Sequence, residues 1–286
     1  MTAAEHATSP QSALDRLQLR PSTQASFTAF RALLLRDLQV LRKTFWQFAV
    51  RTVMQPLMLV FVFTYVFPKI GEGIGGSAAG QAAFSTLLLA GVIASSMVFQ
   101  GVQAVALPLV QEFGFTKEIE DRVMAPLPVW AVAMEKISSG AAQAVLAALV
   151  VFPLATVIPA TPVHLSIHWF YLLTITPLAA WLGASLGMVM GTKVDPRYVS
   201  LLFSIVILPM TFLGAIYYPW ARLSPIPWLK WFVLINPLVY MSEGFRVALT
   251  RGVPHMPVLA IYAALIGFSI LLTWVGVEGF KKRVLT

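Results

Sequence analysis

The sequence predicts an all-α integral membrane protein with six transmembrane helices, and three observations predict it. Apolar side chains make up 58% of the 286 residues and charged ones 11%, too little charge to cover a water-soluble domain. Lys, Arg, Asp and Glu are absent from Gly73 to Gln111, Ile137 to Thr192, Tyr198 to Ala221 and Gly252 to Val277, with a shorter clear run from Thr52 to Pro68. A spanning helix needs roughly 20 apolar residues, so each run has room for at least one span, the first by borrowing from Phe45 onward. The basic residues then cluster on one side of the resulting topology.

Residues 1–25 are polar, with Ser9-Pro10 and Pro21-Ser22-Thr23, and read as a disordered tail. The pattern of a cleavable signal peptide is not visible there. Residues 26–44 form an amphipathic helix: Phe27, Phe30, Leu34, Leu38 and Leu41 share a face flanked by Arg31, Arg36, Arg42 and Lys43. Such a helix suits the plane of the membrane interface. The membrane domain, 45–286, holds spans at about 45–67, 83–110, 137–158, 169–191, 199–217 and 257–277. Pro159-Ala160-Thr161-Pro162, with His164 and His168, divides the long charge-free run into the third and fourth.

With the N-terminus inside, fifteen of the twenty Lys and Arg residues are cytoplasmic: seven from Arg16 to Arg51, then Lys117, Arg122, Lys136, Lys193, Arg197, Lys281, Lys282 and Arg283. The positive-inside rule therefore places both termini in the cytoplasm of a plasma (inner) membrane protein. The segment Pro219 to Met256 is too apolar for an ordinary external loop. Lys230 and Asn236-Pro237 break it into pieces too short to span. Two half-helices dipping into the outer leaflet, an external re-entrant hairpin between spans five and six, fit it best.

Most catalytic classes find no support. No G-x-x-x-x-G-K-S/T run is present to cradle a nucleotide phosphate. Gly71 to Gly76, "GEGIGG", matches a dinucleotide fingerprint only formally, because it follows a span and opens no βαβ unit; it reads as a flexible turn. The histidines His6, His164, His168 and His255 lack ligand spacing, and the chain has no cysteine, so no metal site is expected. No Ser stands in a G-x-S-x-G turn and no carboxylate pair lies at mid-membrane. The net charge of +8 has no ordered basic-aromatic module to take it to nucleic acid and reports topology and anionic headgroups instead. Ion-coupled transporters place ionisable groups deep in the membrane; here Arg51 and Glu278 lie near the cytoplasmic ends.

Glu112 to Pro128, "EFGFTKEIEDRVMAPLP", concentrates charge between the second and third spans. Phe115, Ile119 and Val123 form an apolar stripe, and Glu118 precedes Arg122 by the four residues that favour a helical ion pair. That helix either docks into a groove on a cytoplasmic partner or rests on the headgroups. Gly183, Gly187 and Gly191 repeat every fourth residue and permit close helix packing, within the chain or between subunits.

The stretch "FLGAIYYPWARLSPIPWLKWFVLINPLVYMSEGFR", Phe212 to Arg246, resembles the external hairpin of ABC-2 type transporter permeases, and Glu112, Pro126 and Lys136 match the family's cytoplasmic pattern. The Gly-Thr step of that pattern is Thr116-Lys117 here. The resemblance covers about Ser26 to Arg283. It implies the permease subunit of an ABC exporter for amphipathic, lipid-like or glycan-linked cargo. ATP and Mg would be bound by a separate ABC ATP-binding subunit in two copies, and a second permease subunit would complete a homodimer or heterodimer among membrane lipids. It implies coupling through Glu112, Phe115, Glu118, Ile119, Arg122 and Val123, and a hairpin carrying Trp228, Trp231, Asn236, Pro237, Tyr240, Glu243 and Arg246. No cofactor is expected in this chain and no catalysis by it. The competing classes are an ion-coupled secondary exporter, which would need no ATPase, and a membrane-embedded lipid-modifying enzyme, which would need polar catalytic groups at one leaflet.

Overall fold

Long apolar runs without a charge to interrupt them become long helices. A computed structural model describes residues 22–116, 128–161, 163–194, 198 and 203–285, and among these all regular structure is helical. Helix α1 is Ser22–Lys43. The first span is α2, Phe45–Phe61, which continues through a π-helical turn, Val62–Val66, to Lys69. The second is α3, Ala78–Gln111, followed by a π-helical turn at Glu112–Thr116. Next come α4, Val129–Val157, and α5, Trp169–Lys193. The short α6, Leu208–Phe212, follows a π-helical turn at Phe203–Ile207. Then α7, Pro227–Phe232, and α8, Pro237–Leu249, precede α9, Val258–Leu285.

Five of these helices are long and apolar enough to cross a membrane, and this is a multi-pass membrane protein. A pair of shorter helical segments, Pro227–Ile235 and Pro237–Leu249, meets at a 96° bend. Helix α3 is the hub, packed on α4, α5 and α8. Most of it is buried inside the chain, whereas α2 and α9 turn most of their apolar surface outward, as helices with lipid for a neighbour can.

The turn before α3 explains its glycines. Gly71, Gly75 and Gly76 take φ of 84°, 115° and 68°, which glycine adopts without the steric penalty of a Cβ. Ser77 then caps the helix, its side chain accepting from Gly80 N at 3.1 Å.

Element ends depart from the sequence expectation where charge was taken as a boundary. Helix α4 starts at Val129, not near Ile137, and includes Glu135 and Lys136, both buried. Helix α9 runs past Val277 through Glu278 and the basic cluster Lys281–Arg283. The expected fifth span, 199–217, is helical from Phe203 to Phe212, its first residues lying outside those described; the chain then leaves the helix, with Ala215 at φ 54°.

Candidate functional site

Two stripes of polar side chains face each other across an apolar bundle. On α2, Gln47, Arg51 and Gln55 follow one another at four-residue spacing; on α3, Ser96, Gln100 and Gln103 share a face. They line adjoining cavities between α2 and the α3–α4 pair, the larger of ≈ 350 Å³ and also lined by Gln143 of α4. That volume lies in the range of small-molecule sites. Inside the groove Arg51 Nε donates to Gln103 Oε1 at 2.7 Å, and Arg51 Nη2 donates to the same oxygen. Thr52 donates to Gln100 Oε1 at 3.0 Å, and Gln100 Nε2 to Gln143 Oε1 at 3.4 Å. The chain thus carries a chain of polar contacts across three membrane helices, although polar groups there are costly unless they serve a purpose.

At the end of the bundle where α3 stops and α4 begins, Lys136 Nζ lies 2.7 Å from Glu112 Oε1, with both side chains buried. Arg283 of α9 donates to the carbonyls of Gly191 at 3.1 Å and Val194 at 2.9 Å. These are carbonyls at the C-terminus of α5, where a cation is favoured. Its guanidinium also sits 4.8 Å from the Phe113 ring centroid, and Phe113 meets Phe280 edge-on at 5.8 Å. The ends of α3, α5 and α9 are thereby tied together. The backbone of Phe115 is part of the π-helical turn beside them. Glu118, Ile119, Arg122 and Val123 lie outside the described residues.

At the opposite end a fully buried ion pair organises the segment between α6 and α9. Glu243 and Arg246 stand one turn apart on α8, 2.8 Å between Oε1 and Nη1. Glu243 also accepts from the backbone N–H of Trp220 and of Met256, each at 2.8 Å. Arg246 donates to the carbonyls of Ala215 and Ile216, the latter at 3.2 Å. Four backbone groups from three separate stretches therefore converge on one pair.

The bend between α7 and α8 has its own fittings. Asn236 accepts from Leu238 N at 3.0 Å as the N-cap of α8, and Pro237 occupies the first helical position, where its missing N–H costs nothing. The Asn236 amide donates to Met210 O at 2.7 Å, fixing the bend to α6. Tyr240 donates its hydroxyl to Leu234 O at 3.0 Å, and Trp220 Nε1 donates to Lys230 O at 2.9 Å. Trp228 and Trp231 are 69% and 67% exposed; the polar framework is inside and the aromatic surface outside.

Residues 28–250 match the ABC-2 type transporter family. The chain belongs to it. Relatives of this ABC-2 permease include the inner membrane transport permease YadH of Escherichia coli (strain K12) and of Shigella flexneri. Each is 25% identical over 239 residues, covering 80% of this chain and 88% of the relative.

The glycine repeat of the permease faces α3. A Cβ on Gly183 would lie 3.1 Å from Met97 O, one on Gly187 2.9 Å from Val102 Cα, and one on Gly191 3.1 Å from Ala106 Cα. Gly101 and Gly91 answer from α3: a Cβ there would stand 2.8 Å from Ala184 N and 2.6 Å from Ile216 Cα. The groove is inconspicuous in the sequence because most of its polar residues are neutral, and its one charge, Arg51, stands near a predicted cytoplasmic helix end. The signal was present, as Gln47-Arg51-Gln55 and Ser96-Gln100-Gln103 at helical spacing.

Proposed function

We propose that this permease is the membrane subunit of an ATP-driven exporter, moving an amphipathic, lipid-like or glycan-linked substrate outward along the polar groove. The observation that carries this reading is the pair of facing polar stripes on α2 and α3, set in otherwise apolar membrane-spanning helices. Hydrogen-bonding groups there can replace water around a polar headgroup, while the apolar flanks of α2 accept a hydrocarbon body. Energy comes from outside the chain: the sequence offers no phosphate-cradling loop, so ATP and Mg belong to a separate ATP-binding subunit. Two permeases and two such subunits form the complex, with both permease termini cytoplasmic. The segment between α3 and α4 is the docking element, stiffened at its root by Glu112–Lys136. The α7–α8 bend is the external re-entrant hairpin, its exposed Trp228 and Trp231 resting at the interface, where tryptophan is favoured.

The test is reconstitution in sealed vesicles with and without the ATP-binding subunit. Outward transport of an amphiphile that requires that subunit and ATP, and survives collapse of ion gradients, is the expected result. Transport by the permease alone that stops with an uncoupler would identify an ion-coupled exporter instead.

A further inference from the structure

We propose that the groove selects amphiphiles whose polar end is an anion, a carboxylate or phosphate, held by Arg51; this rests on the transport reading above. Arg51 lies six residues into α2 from Phe45, a rise of about 9 Å at the helical repeat. A guanidinium keeps its charge and has five N–H donors in a planar fork. Two of them are used, both on the Gln103 oxygen. Among the described residues Arg51 makes no ion pair, and neither Asp nor Glu lines the cavities it faces.

The neighbouring amides sharpen the preference. Two guanidinium donors hold the Gln103 amide with its oxygen toward Arg51, so its NH₂ points away from the cation. The Gln100 oxygen is taken by Thr52, and the Gln143 oxygen by Gln100. The oxygens of Gln103, Gln100 and Gln143 are thus each engaged within the protein, and these groups leave N–H capacity over: three on Arg51, two each on Gln103 and Gln143. A guanidinium with unused donors and no carboxylate among the groove residues complements an acceptor-only anion and repels an ammonium headgroup.

The probe is dansylaminoundecanoate, with its neutral methyl ester and a cationic aminoethyl amide sharing the same body. Binding is followed by dansyl fluorescence to the full chain in phosphatidylcholine nanodiscs, without nucleotide. The carboxylate is expected to bind about tenfold tighter than the ester, the worth of one charge-assisted contact. Arg51→Gln should erase that preference and Arg51→Lys retain part of it. Gln55→Glu, which sets a carboxylate one turn from Arg51, should erase it without removing the cation. Equal binding of acid and ester to the native chain, or a preference that survives both Arg51→Gln and Gln55→Glu, overturns the proposal.

Replacing roughly a third of the lipid with phosphatidylglycerol separates the two sources of anion. Probe affinity corrected for partitioning should be unchanged; displacement of the probe would make this a membrane-lipid site and overturn the substrate assignment. Recruitment of the ATP-binding subunit and its ATPase rate are read separately. An assembled, ATP-hydrolysing complex indifferent to headgroup charge overturns the anion assignment alone. A chain that never assembles overturns the transport reading, while the binding comparison still stands.

Discussion

Arg246 and Glu243 form an ion pair 2.8 Å long on one turn of α8, with no exposed surface on either side chain. Their remaining hydrogen bonds reach Ala215, Ile216, Trp220 and Met256. The pair therefore fixes the path of the chain on both sides of the α7–α8 bend rather than merely neutralising itself. Removing one partner of a buried pair strands the other and costs about 3–5 kcal/mol. Arg246→Met and Glu243→Gln should each lower the thermal unfolding midpoint in nanodiscs markedly. The combined variant should cost less than the two losses added, because no charge is left alone. Additive losses in that double-mutant cycle would show that the backbone contacts, and not the pairing, carry the effect.

Lys136 and Glu112 pose the same question at the other end. Their contact links the start of α4 to the turn that ends α3. Lys136→Met breaks this buried contact and is expected to lower the unfolding midpoint, and Glu112→Gln/Lys136→Met to recover part of that loss. Thermal unfolding checks the stability, and co-purification of an ATP-binding subunit checks the position of the segment that follows. Native co-purification by a folded Lys136→Met variant would mean that the pair does not orient the docking element.

The contrast between these two pairs shows how much of the molecule is legible in the sequence. The spans are legible because hydrocarbon demands long uncharged runs, and α2, α3 and α5 begin or end close to the edges of those runs. The start of α4 is not, because Glu135 and Lys136 are buried inside it and a buried charge reads as a loop until its partner is known. The bend at Asn236-Pro237 is legible from local chemistry, a cap residue followed by proline. The partners of Glu243 and Arg246 are not, being 13 to 31 residues away and mostly backbone groups. The Arg51 groove has a periodic signature, but neutral glutamines carry it, and their meaning depends on which helices adjoin.

Close backbone approach between α3 and α5 leads to a different kind of prediction. A Cβ at Gly187 would fall 2.9 Å from both the Cα and the carbonyl oxygen of Val102, and 3.0 Å from Gly101 O. Backbone cannot swing aside as a side-chain tip can. Gly187→Val should cost about 1–3 kcal/mol, as overpacking does. Gly267→Val on α9, where a Cβ meets nothing within 4 Å, should leave the unfolding midpoint near native. Similar midpoints for the two variants would mean that α5 and α3 do not pack this closely.

The last prediction concerns Phe115, Ile119 and Val123, the apolar stripe beyond the root of α3. If this ridge docks in a groove on the ATP-binding subunit, polar replacement uncouples the complex while the bundle stays folded, because Phe113, Phe280 and Arg283 still tie α3 to α9. An aromatic anchor buried at an interface typically carries ~2 kcal/mol or more, so Phe115→Asp with Ile119→Asp should weaken co-purification by about thirtyfold or more. Charge reversal at Glu118 or Arg122 should act more mildly and fade at high salt, as register-setting charges do. A ridge that only rests on lipid behaves otherwise: the double variant would shift membrane contact and leave recovery of the ATP-binding subunit and transport-stimulated hydrolysis intact. The discriminating measurement is a pull-down followed by an ATPase assay in the presence and absence of transported amphiphile. Native recovery with native stimulation would remove this segment from the coupling path.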